Sequence, residues 1–78
     1  MTPKDYDFQT DAGALFVRVT PTMEALGDQP WRVDIYDATR FPLQQTLVED
    51  SSALGAASEA VHEYLKDLGL NTSVIINA

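Results

Sequence analysis

No cysteine occurs anywhere in the 78 residues. Without a thiol there is no disulfide to staple a small secreted fold and no thiolate site for a metal, which fits a chain that folds by its core alone in a reducing compartment. Basic side chains are scarce as well: Lys4, Arg18, Arg32, Arg40 and Lys66 stand against 12 acids, a formal charge of -7, and they form no cluster. Nucleic-acid binders gain most of their affinity from grouped Lys and Arg set against phosphates, and anionic membranes are recognised by the same polybasic handle. Direct nucleic-acid binding and membrane binding are therefore both disfavoured. Long apolar runs are missing too, since no stretch approaches the roughly 20 residues that span a bilayer. The first residues, Met1 to Tyr6, lack the basic-then-apolar order of a signal peptide. A soluble intracellular protein is expected.

Reactive groups are equally thin. His62 is the one histidine, and its place on the helix described below puts it at the boundary or on the solvated side. No Ser sits in a Gly-x-Ser-x-Gly frame, and nothing selects a Ser-His-Asp set. The glycines Gly13, Gly27, Gly55 and Gly69 are isolated, so no phosphate-cradling loop exists. Asp5, Asp7 and Asp11 loosely follow a calcium loop but lack its central Gly and distal Glu; acids alternating along the outside of a strand explain them better. The triplet Asn71, Thr72, Ser73 is treated as a chance sequon. No catalytic residue, cofactor or metal ligand is assigned, and an enzyme would have to show turnover abolished by His62→Ala.

What is present is an ordinary globular composition, 45% hydrophobic, enough for one modest core and for a single domain over residues 1–78. Tyr6 and Phe8 alternate with Asp5, Asp7 and Gln9, the period of a strand with one buried face. After turn residues Asp11, Ala12 and Gly13, the run Ala14 to Thr20 sends Leu15, Val17 and Val19 one way and Phe16, Arg18 and Thr20 the other. Pro21 lacks an N–H to continue a ladder, and Thr22 to Pro30 reads as a loop that includes a short helical turn at Met23 to Leu26. Trp31 to Asp37 alternates again, and Leu43 to Glu49 forms a more polar fourth strand. From Asp50 the period lengthens: Leu54, Ala57, Val61, Leu65 and Leu68 trace the stripe of an amphipathic helix, capped by Asp50, Ser51 or Ser52 and ended by Gly69 with Leu70 folding back. Gly55 allows a close approach to the sheet. Thr72 to Asn77 makes a short last strand. The fold expected is α+β: an antiparallel sheet of four to five strands with one helix on one face, in the order ββββαβ.

Two features point to binding. Glu59, Glu63 and Asp67, spaced by four, line up as one acidic helix ridge. Carboxylates so spaced resemble a row of phosphates and can engage Lys or Arg on a partner, a salt-sensitive contact. On the sheet face away from the helix, Phe16 and Tyr36 interleave with Arg18, Arg32 and Asp34, a composition typical of interface hot spots; Arg18 and Asp34 can pair across strands there.

Size, acidity and this order of elements together resemble several small phage-encoded anti-CRISPR inhibitors, some of which mimic DNA or block its binding. The layout from Thr46 to Gly69, TLVEDSSALGAASEAVHEYLKDLG, following the strands Phe16 to Thr20 and Trp31 to Asp37, is also similar to HicB-type antitoxins, although their Pro-rich loop with Gly-Cys is absent. The first resemblance implies a non-enzymatic cytoplasmic protein of a bacterial host. It would inhibit a basic, nucleic-acid-handling protein, as a monomer or homodimer; the residues expected to make that contact come from the two surfaces described above, Glu59, Glu63, Asp67, Tyr36 and Phe16, with Glu49 or Asp50 nearby. The second implies an antitoxin or subunit that forms an obligate complex through its sheet.

Overall fold

The computed structural model describes residues 2–22 and 29–77. Its elements follow the expected order: β1 (Lys4–Thr10), β2 (Gly13–Pro21), β3 (Gln29–Tyr36), β4 (Pro42–Asp50), α1 (Ala53–Asp67) and β5 (Ile75–Asn77). The strands form one five-stranded sheet in the order β4-β3-β2-β1-β5, every neighbouring pair antiparallel. The first four strands are a meander, and α1 then carries the chain across one face so that β5 joins the far edge. Among the described residues no helix is long and apolar enough to cross a membrane.

Period-2 patterning sets which face is covered. Phe8, Leu15, Val17, Val19, Trp31, Val33 and Ile35 are all buried against α1, while Asp5, Arg18 and Arg32 fall on the bare face. Every strand differs from the sequence-based expectation by a residue or more at its bounds, β2 running on through Pro21 opposite Trp31, and two strand starts move furthest. β3 starts at Gln29 rather than Trp31, because the Pro30 carbonyl receives both the Thr22 N–H (3.3 Å) and its hydroxyl (2.9 Å) and so holds the chain against the end of β2. β5 starts at Ile75 rather than Thr72, because the Asn71 side-chain carbonyl accepts the Ser73 N–H (2.9 Å) in a local turn that competes with extended pairing. The helical turn expected at Met23 to Leu26 lies outside the described residues.

The helix stripe is also displaced. Ala53, Ala56, Ala57, Ala60, Val61 and Leu65 are buried, whereas Leu54 and Leu68 are 42% and 52% exposed. Both leucines stand at the ends of α1, in the first turn and at the C-cap, where the sheet does not cover them. Alanines along the covered side let the helix backbone lie near the strands. Of the three candidate caps Ser52 is the one used: its hydroxyl accepts the Gly55 N–H at 3.0 Å. At the other end Gly69 takes φ +74, its N–H bonds to the Lys66 carbonyl (3.0 Å) and the Leu70 N–H reaches back to Leu65 (2.9 Å), which closes the helix as the sequence pattern suggests.

Candidate functional site

On the bare face of the sheet, charge is largely used up internally. Arg18 lies directly opposite Asp34 in the β2–β3 register, yet it does not pair with it. Its guanidinium turns to the other neighbour and grips Asp5 with two bonds, 2.8 and 3.2 Å. Asp34 is already taken: one oxygen accepts the Gln45 amide at 2.7 Å and the other accepts Arg32 Nε at 3.3 Å. The cross-strand Arg18–Asp34 pair expected from sequence is thus replaced by two separate contacts. The Arg18 hydrogen bond holds the Asp5 carboxyl below its ordinary 3.8.

A depressed folded-state pKa means that this pair adds stability above the unfolded value and loses it as pH falls through the folded one. In Arg18→Gln the Asp5 carboxyl should titrate back toward 3.8, with the stability difference between variant and wild type full above that value and fading as pH falls below it through the wild-type Asp5 pKa. Carbon-detected NMR titration checks it; an unmoved Asp5 curve would refute the pairing.

The aromatic pair sits beside this network. Phe16 and Tyr36 are cross-strand partners, ring centroids 5.9 Å apart and tilted by 48°. Neither protrudes; both are half-buried. Phe16 is covered by Arg40, whose guanidinium carbon stands 3.8 Å from the ring centroid, within the range of a cation–π contact. Arg40 reaches it because the β3–β4 loop is locked. One Asp37 carboxylate oxygen accepts the Thr39 N–H (2.8 Å), the Thr39 hydroxyl (2.7 Å) and the Phe41 N–H (3.0 Å), and Arg40 takes a left-handed φ of 70. Those bonds, the Thr39 hydroxyl first, lower the Asp37 pKa. From sequence Arg40 is only part of a connection. Its role over Phe16 requires the register that puts the loop beside β2.

The other candidate surface is the rim where α1 meets edge strand β4. An open groove of about 320 Å³ lies there, lined by Gln44, Thr46, Leu47, Val48, Glu49, Glu59, Ala60 and Glu63. Glu49, Glu59 and Glu63 are all exposed, and among the described residues no ion pair or hydrogen bond engages their carboxylates. Asp67, one turn further on, is exposed but outside the groove. Asp50 is not part of this surface, because its carboxylate accepts the Ser52 N–H at 3.1 Å and serves the helix start. Lys66 is the cation of the last turn, and His62 is exposed on the solvated side of α1.

The five residues assigned from sequence therefore divide. Glu59 and Glu63 come together at the α1–β4 rim with Glu49, and Asp67 extends the same helix side. Phe16, under Arg40, and Tyr36 lie on the opposite face of the sheet, so one flat partner surface cannot meet both sets at once. Leu47, 69% exposed beside the groove, carries no signal in the linear pattern except the polar character of its strand. Compared with known protein families, with characterised proteins and with solved structures, the chain matches none.

Proposed function

We propose that this chain is a non-enzymatic binding protein whose acidic α1–β4 side docks on the basic surface of a protein that handles nucleic acid, and inhibits it by occupying that surface. The supporting observation is the segregation of charge. The ion pairs among the described residues, Arg18–Asp5 and Arg32–Asp34, both lie on the bare sheet face, and Arg40 is committed to Phe16. The unpaired carboxylates Glu59 and Glu63 stand on the helix side of the sheet, at the α1–β4 rim whose edge also carries Glu49. A surface that binds phosphates offers the Lys and Arg that such a rim would engage, with a strong dependence on salt.

The test is an affinity measurement against the partner isolated with the wild-type chain. Glu59, Glu63 and Asp67 reversed together to Lys should leave the fold intact by circular dichroism and weaken the complex about tenfold or more, the equivalent of about 1.4 kcal/mol. Unchanged affinity in the folded triple variant would overturn the assignment. Binding that instead persists undiminished at high salt would favour the obligate sheet interface of an antitoxin or subunit.

A further inference from the structure

The sheet ends at β4, whose outer side has no strand paired to it among the described residues. The bond from the Thr22 N–H to the Pro30 carbonyl shows that Pro30, and by alternation Arg32 and Asp34, turn their backbone groups toward β2. Trp31, Val33 and Ile35 then bond to Val48, Thr46 and Gln44. The N–H and C=O groups of Gln45, Leu47 and Glu49 consequently point outward from the sheet. The opposite edge is blunted by its length, since β5 has only three residues. β4 has nine, contains no Lys, and carries its Pro at the first position and its register shift near that same end. A regular open edge of this kind is a template for an added strand.

The surroundings of the edge define the chain it accepts. Side chains of an added strand alternate between the two faces of the sheet, with same-face neighbours about 6.6 Å apart. On the helix side they enter the groove rimmed by Glu59 and Glu63, whose separation of four residues is about 6 Å along the helix axis. On the other side they meet Leu47, 69% exposed, with Glu49 beside it on that face. A second copy of this chain would bring its own Glu49, Glu59 and Glu63 against the same carboxylates, like charge against like. We infer that the partner docks an extended segment in which Lys or Arg alternates with apolar residues, and that this segment adds to β4 as a further strand, its cations on Glu59 and Glu63 and its apolar residues on Leu47.

This inference rests on the acidic-rim reading and deepens it, and the two can fail separately. The probe is the capped peptide Lys-Val-Lys-Val-Lys-Val-Lys, compared with the same peptide N-methylated at alternate residues, so that charge is kept and the ladder is blocked. Binding to the full chain is followed by amide hydrogen exchange and titration. The plain peptide should protect the amides of Gln45, Leu47 and Glu49, the methylated one should bind about tenfold or more weakly, and Glu59→Gln with Glu63→Gln should weaken the plain peptide as well. Equal binding of both peptides that still depends on the two carboxylates would overturn strand addition and leave the acidic rim standing. Absent binding, or binding indifferent to Glu59 and Glu63, would overturn the inference. So would a dimer of the chain that Leu47→Pro converts to monomer.

Discussion

Phe8→Ala is expected to destabilise the domain by about 3–5 kcal/mol, the usual loss for deleting a fully buried aromatic ring. Phe8 is 0% exposed and lies in the centre of β1, with Leu15 of β2 opposite on one side and Ile76 of β5 on the other. A domain of this length has a total stability of roughly 4–12 kcal/mol, at 0.05–0.15 kcal/mol per residue. The substitution therefore removes a large share of it. The damage should begin at β5, a three-residue strand. Ile75 and Ile76 are 67% and 38% exposed, so little beyond the ladder to β1 and the Phe8 ring holds it. Urea unfolding measures the global loss, and amide exchange at Ile75 and Ile76 should rise before that of β2 and β3. Phe8→Leu, which keeps much of the volume, should recover most of the stability. A Phe8→Ala variant within about 1 kcal/mol of wild type would mean that the core can collapse around the gap.

Why some of this was readable in the sequence follows from what each pattern encodes. Alternation along Leu15, Val17 and Val19 or Trp31, Val33 and Ile35 has the same period as the pleat, so the covered face was legible before any contact was known. Gly69 followed by Leu70 marked the helix end because only a left-handed residue closes it in that way. The helix stripe was less legible. Leu54 and Leu68 have the right angular position, but burial also depends on where the sheet stops, and that is a property of strand length and order. Charge pairing was the least legible part. Arg18 has an acid beside it on each neighbouring strand, Asp5 and Asp34, and the choice falls on Asp5 because Gln45 and Arg32 already occupy Asp34. Gln45 reaches Asp34 only through the β3–β4 register. The same register decides that the acidic ridge and the Phe16–Tyr36 pair are separated by the thickness of the sheet.

Trp31→Ala should cost about 3–5 kcal/mol, and it should also disturb the acidic rim, because Trp31 begins a chain of contacts that ends there. The indole is 8% exposed and its Nε1–H donates to the Asp50 carbonyl at 2.9 Å, which pins the last residue of β4. The Asp50 carboxylate accepts the Ser52 N–H, and Ser52 caps α1. The same carboxylate fills the space beside Gly55, where an added Cβ would lie 2.5 Å from its nearest oxygen; this is why the first helical turn carries a glycine despite a cost of about 1 kcal/mol relative to Ala. The close approach at Gly55 is thus to Asp50 at the end of β4. Through these contacts Trp31 sets where α1 starts relative to β4, and hence how Glu59 and Glu63 stand over Thr46 and Val48. Trp31→Phe separates the two contributions: it keeps most of the buried ring and loses the hydrogen bond, at about 1 kcal/mol. Its amide shifts should change at Asp50, Ser52 and Glu59 while those of β1 and β5 stay fixed. A Trp31→Phe variant with an unaltered Glu59 signal would show that α1 is placed by its alanine seam alone, without help from the indole.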